Sequence, residues 1–153
     1  MSNYLIVAHQ TATSPELLQR LTELATDDPQ AAFTLLVPAT PVAHLLVPYV
    51  TRDESREIAA KRAAEANALF QSNGLNVVRT TVGHSSPLRA IADELRKCPG
   101  HCDAIILSTL PRGISRWFRL DVYNQAERKF NLPVIHVVAQ RPEWAEAAPA
   151  GTH

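Results

Sequence analysis

The chain has 153 residues, and its fifteen basic and fifteen acidic side chains give a formal net charge of zero at pH 7. That balance removes the positive field of a dedicated nucleic-acid binder. A chain of this length buries roughly 70% of its unfolded surface without disulfide or metal staples, and no run approaches the ~20 apolar residues of a membrane-spanning helix. Residues 1–7 have no charged region leading into a long apolar segment, so a soluble, cytoplasmic protein with neither nucleic-acid nor membrane partners is expected.

Five short β-favouring runs follow one another along the chain: Leu5-Ile6-Val7-Ala8, Phe33 to Val37, Val77 to Val82, Ala104 to Leu107, and Val134 to Val138. Most are continuously apolar, the pattern of strands covered on both faces, as in a parallel sheet between helices. Between them the apolar period becomes helical. Ser14-Pro15 supplies a cap and a first-turn proline for a helix carrying Leu17, Leu18, Leu21, Leu24 and Ala25. The longest helix spans about 51–73, with Ile58, Ala59, Ala63, Ala66, Leu69 and Phe70 on one face, Glu57 and Lys61 on another, and Gly74 as its C-cap. Ser86-Pro87 opens a third helix with Leu88, Ile91, Ala92 and Leu95 inward, ended by Pro99-Gly100, and Asp121 caps a fourth with Val122, Ala126 and Phe130. Pro38, Pro41 and Pro48 make 38–50 a loop at the sheet's C-terminal edge.

The order β-α-β-α-β-α-β-α-β, with crossovers of at least about ten residues, implies right-handed connections and one doubly wound α/β domain. The domain is expected over 1–139, with 140–153 as an Ala- and Pro-rich tail. Cys98-Pro99-Gly100-His101-Cys102 reads as a helix stop and loop; the four ligands of a familiar zinc site are missing, and no metal is assigned.

In such sheets ligands sit outside the carboxyl ends of the strands. That edge collects His9 and Gln10 after strand one, His44 after strand two, and Gly83, His84, Ser85 and Ser86 after strand three. Ser108, Thr109, Arg112, Gly113, Ser115 and Arg116 follow strand four, with Arg119 beyond. Three histidines after successive strands suit a metal or an acid/base centre, but no Asp or Glu stands beside them in sequence to orient an imidazole. Hydroxyls, main-chain N–H groups at the helix starting near Ser86, and the arginines suit an anion such as phosphate better. The competing structural reading makes Arg116 and Arg119 solvated residues of a turn that buries Trp117 and Phe118. Neither a nucleophile elbow nor a P-loop lysine motif is present, and no catalytic residue is assigned. His136, inside the last strand, reads as a core or interface histidine with satisfied hydrogen bonds.

Over residues 3–139 the chain resembles the universal stress protein family. The resemblance rests on the first strand ending at His9, the Val37-Pro38 exit, the long helix before Asn73-Gly74, the Val82-Gly83-His84-Ser85-Ser86-Pro87 turn, and the closing Leu132-Pro133-Val134-Ile135-His136-Val137-Val138. It implies a five-stranded parallel sheet of order 3-2-1-4-5, Rossmann-like and of the adenine nucleotide alpha hydrolase type, with a homodimer along the last strand. Members that bind ATP are similar in carrying Gly-x2-Gly, nine residues, then Gly-Ser or Gly-Thr after strand four. Here Ser108 and Pro111 hold the glycine places, eight residues follow, and Leu120-Asp121 stands last, with only Gly113 left in the loop. The family's aspartate after strand one is replaced by His9 or Gln10.

The resemblance therefore implies a non-catalytic, stress-response-type protein binding a small anionic or nucleotide-like, phosphate-containing ligand at His9, Gln10, Gly83, Ser108, Thr109, Arg112, Gly113, Ser115 and Arg116, without the usual ATP mode. The rival is a ligand-free interaction module whose loop is filled by Pro111, Trp117 and Phe118; a hydrolase on the same fold stands third.

Overall fold

A computed structural model describes residues 2–9, 11–39, 52–97, 102–109 and 128–139. In chain order the elements are β1 (Asn3–Val7), α1 (Pro15–Asp27), β2 (Ala32–Pro38), α2 (Arg52–Ser72), β3 (Val77–Gly83), α3 (Pro87–Lys97), β4 (Ala104–Thr109) and β5 (Val134–Val138). All the strand pairs are parallel, and the sheet order is β3-β2-β1-β4-β5. The chain thus steps outward from β1 to β3, then reverses through β4 to β5, which puts the topological switch point between β1 and β4.

Local chemistry explains where the helices begin and end. Ser14 is extended at the head of α1, its Oγ accepting from Leu17 N at 3.2 Å, and Pro15 fills the first turn, where its missing N–H costs nothing. After α2 the chain reverses at Gly74, whose φ of +80° is a conformation that side chains with a Cβ resist. Residues 128–130 are helical and lead into β5; the rest of the expected fourth helix, the loop 40–50 and the tail 140–153 lie outside the described residues.

The alternation of each strand divides the core into two layers. Ile6, Phe33, Leu35, Val37, Ile106 and Val137 face α1 and α2, meeting Leu17, Leu21, Ala59, Ala63, Ala66 and Phe70. Leu5, Val7, Leu36, Ile105, Leu107 and Val134 face α3, meeting Ala90 and Ile91. Val7, Leu35, Leu36, Ile105, Ile106 and Val137, all drawn from the apolar runs of the sequence, are buried.

Three local expectations change. β3 is the edge strand that the order 3-2-1-4-5 implies, but its opening Val77-Val78 is not covered as its apolar character suggests: Val78 is 61% exposed, beside a register shift at Phe33/Thr34. Pro38 belongs to β2 and not to the loop. Ala39 N donates to Gly83 O on the β3 side, so by alternation Pro38 N points toward β1, which has already ended at the Val7/Leu36 pair, and no donor is needed. On α3 the fully packed residues are Ala90, Ile91 and Glu94, with Leu88, Ala92 and Leu95 only partly buried. Glu94 tolerates burial because Arg79 Nε donates to its Oε2 at 2.6 Å, and Lys97 Nζ lies 3.8 Å from Oε1.

Candidate functional site

At the switch point the chain leaves β1 through Ala8 and His9, turns at Thr11, and enters α1 from Ser14. Ser108, the fifth residue of β4, lies on the same sheet face as Ile106, toward α1 and α2. Its Oγ and the Oγ1 of Thr11 form a buried hydrogen bond of 2.6 Å between residues 97 apart in sequence. Two hydroxyls carry two protons, and this bond uses one. The hydroxyl that accepts keeps its own proton for a third group.

The next residue of β4 points the other way. Thr109 Oγ1 lies 2.7 Å from His136 Nε2, joining the C-terminal end of β4 to the middle of β5 on the α3 side. Burial lowers the His136 pKa from its ordinary value, so the neutral imidazole is the form held here.

His9 is completely buried. Its pKa is lowered to about 4, first because burial removes the solvation of an imidazolium and second because of the positive charge of Arg62 on α2. At neutral pH it is an uncharged ring, donor at one nitrogen and acceptor at the other, where the family pattern has a carboxylate. In the first turn of α1, Glu16 buries its Oε1 with no hydrogen-bond partner among the described residues. The helix N-terminus offsets that negative charge.

Of the residues expected from sequence, His9, Ser108 and Thr109 gather at this end of β1 and β4. Gly83 does not join them. It ends β3, two strands from the crevice, and a Cβ built on it meets Leu36 Cδ1 at 2.7 Å and Ala90 Cβ at 2.8 Å, so glycine is required there for α3 to pack on the sheet. His84 is exposed beyond β3, with Nδ1 accepting from Ser86 N at 2.9 Å, which leaves the ring proton on Nε2. With β2 between their strands, the backbones of His9 and His84 stand about two strand spacings, ~9.6 Å, apart. Among the described residues no group of three His, Cys, Asp or Glu is placed to hold a metal. Gln10, His44, Arg112, Gly113, Ser115, Arg116, Arg119 and Asp121 lie outside the described residues.

The sequence reading missed Thr11 as a partner of Ser108, and it missed Arg62 and Ser55 altogether. Ser55 was detectable by spacing, since it precedes Ala59 by one turn on the Ala59, Ala63, Ala66 stripe and is only 3% exposed. Nothing in the local sequence marks Arg62.

A doubly wound parallel α/β sheet with polar side chains at its switch point defines the class of fold. Within that class the architecture is that of universal stress proteins, as three solved structures bear out. A universal stress protein family member from Burkholderia pseudomallei aligns with TM-score 0.58 at 16% identity over 88% of this chain and 94% of its own. One from Archaeoglobus fulgidus gives 0.59 at 15% identity over 90% and 93%. A third, from Arabidopsis thaliana with AMP bound, gives 0.52 at 12% identity over 98% and 99%. No family model matches the sequence, and no curated protein does. Among the described residues, no helix is long and apolar enough to cross a membrane.

Proposed function

We propose that this protein is a universal stress protein-like, non-catalytic binder of a small anionic, nucleotide-like ligand, seated at the C-terminal ends of β1 and β4. The observation that carries this reading is the buried Thr11–Ser108 hydroxyl pair at the switch point, with one proton left to donate, beside a fully buried and neutral His9. The AMP bound by the Arabidopsis structure of the same fold gives the ligand its class. Arg112, Gly113, Ser115 and Arg116 follow β4 directly in sequence and belong to the same proposed site, together with Gln10 and Thr109.

Mg-ATP in the family's usual mode fits less well. Ser108 and Pro111 stand where glycines let phosphates approach the backbone, and Asp121 places a carboxylate at the terminal-phosphate end. A nucleoside monophosphate brings less charge to that carboxylate.

Assembly as an isologous homodimer along β5 is part of the proposal. This strand carries Val134, Ile135, Val137 and Val138 with no charged residue, it is paired on one side by β4, and Val138 is exposed. A single sedimenting species of monomer mass at micromolar concentration rules it out.

Thermal melts with AMP, Mg-ATP and inorganic phosphate, alongside native mass spectrometry of the freshly purified protein, test the ligand. AMP at a hundred times its dissociation constant adds about 2.7 kcal/mol of stability. No shift with any of the three, and no retained small molecule, favours the interaction-module reading instead.

A further inference from the structure

An anion at the switch point needs a counter-charge, and α2 carries one on the correct face of the sheet. Ser55, Ala59, Ala63, Ala66 and Phe70 form its buried stripe against the layer that contains Ile6 and Ile106, the same layer from which Ser108 projects. Arg62 lies seven residues after Ser55, two helical turns, and is half-buried beside that stripe. Helical side chains lean toward the helix N-terminus. The guanidinium of Arg62 therefore leans toward the Ser55 end of α2, which the β2–α2 connection places at the C-terminal edge of the sheet.

Two observations show polar capacity left unused at this place. Ser55 Oγ is buried with no hydrogen-bond partner among the described residues, and a buried hydroxyl without a partner is costly. Arg62 forms no ion pair among the described residues, whereas Arg20, Arg79, Arg96 and Lys97 each have a carboxylate within reach. α2 packs on β2 and β3, β2 is the neighbour of β1, and the charge of Arg62 is felt at His9, where it adds to the effect of burial.

We propose that Arg62 and Ser55 grip the phosphate of the ligand from the α2 side, Arg62 as counter-charge and Ser55 as hydroxyl donor, with the Thr11–Ser108 pair on the opposite wall. The ligand class is a phosphate monoester. The guanidinium fork brings two N–H donors, and the Ser55 hydroxyl and the spare proton of the Thr11–Ser108 pair bring one each; these four donors, arriving from two sides, suit the three terminal oxygens of a tetrahedral phosphate better than the two coplanar oxygens of a carboxylate. The inference rests on the reading of a ligand at the switch point and adds which residues hold its charge.

Calorimetry at pH 7 on the full chain, with AMP, adenosine and inorganic phosphate, tests it with the variants Arg62→Gln, Arg62→Lys, Ser55→Ala and Arg112→Ala. Loss of a charge-assisted hydrogen bond weakens binding about tenfold to a hundredfold. Arg62→Gln is expected to weaken AMP and phosphate by that much and to leave adenosine unchanged, with Arg62→Lys recovering part of the loss and Ser55→Ala showing a smaller one. AMP binding equal to wild type in Arg62→Gln, but lost in Arg112→Ala, overturns the assignment of Arg62 while the switch-point ligand stands. If the wild-type protein binds neither AMP nor phosphate, the ligand reading fails and takes this one with it. A lowered melting temperature in Arg62→Gln, restored by adding Glu16→Gln, with AMP affinity unchanged throughout, makes Arg62 a partner of Glu16 and also overturns the proposal.

Discussion

At the N-terminal end of the sheet, acidic side chains are matched to backbone N–H groups. Asp28, which ends α1, accepts from Ser2 N at 2.8 Å and from Gln30 N at 3.1 Å, and Asp103 accepts from Asn3 N at 2.7 Å while its own N–H donates to Asn3 O at 2.8 Å. Partial desolvation works against the charge on Asp28, but the Gln30 and Ser2 donors outweigh it and its pKa falls below the ordinary carboxylate value. At the C-terminal end the fully buried polar residues are neutral, His9, Thr11, Ser108, Thr109 and Ser55, beside the partly buried Glu16, whose Oε1 is covered at the N-terminus of α1. The bonds Thr11–Ser108 and Thr109–His136 run between side chains, and one hydroxyl of the first pair keeps a donor in hand. The first end is polar in order to fix where the chain starts its strands. The second is the end at which the proposed function seats its ligand.

Changes in the slab shared by both ends have the largest effect. Ile106 is fully buried between the two helical layers, and Ile106→Ala is expected to destabilise by about 2–5 kcal/mol in denaturant unfolding; a cost under about 1 kcal/mol contradicts the packing described.

His9 separates the ends by pH. Its folded-state pKa of about 4 lies below the ordinary 6.5, so between these values the unfolded chain binds the proton and the folded chain does not. Stability is therefore fully present above about pH 6.5 and is lost progressively as the pH falls toward 4, by roughly 3 kcal/mol. His9→Gln should flatten that part of the profile, and an unchanged slope in the variant removes His9 as its source.

Ser108→Ala removes the buried bond to Thr11 and is expected to cost about 1–3 kcal/mol, with weaker AMP binding. Asp103→Ala at the opposite end costs less, about 0.5–1.5 kcal/mol, because its bond to Asn3 is exposed. It should leave ligand affinity alone. Equal effects of the two variants on AMP binding would erase the functional distinction between the ends.

How much of this was legible in the sequence depends on the range of the signal. The apolar runs of β1, β2 and β4 and the Ala59–Phe70 stripe of α2 announce themselves because their periods are local. The edge place of β3 follows from the order 3-2-1-4-5, but the exposure of Val78 is harder to see, since Val77 and Val78 start the strand as if it were covered and only Arg79, Thr80 and Thr81 mark it as a rim. His9 and Ser108 were found because strand ends point to the ligand edge of this class of sheet. The Thr11–Ser108 bond joins residues 97 apart, and the effect of the Arg62 charge on His9 depends on how α2 lies over β2 and β3. No local pattern encodes either. Gly83 illustrates the opposite error: a glycine after a strand suggests room for a phosphate, yet here Ala90 of α3 fills the space its missing Cβ leaves.

Backbone amide shifts followed by NMR during titration with AMP test the central claim most directly, because they read both ends of the sheet in one experiment. The account expects saturable changes at His9, Thr11 and Ser108, with Ser2, Asn3, Asp28 and Asp103 unmoved. Saturable changes confined to the Asp28 and Asp103 end, or none at any of these residues up to millimolar AMP, would contradict it.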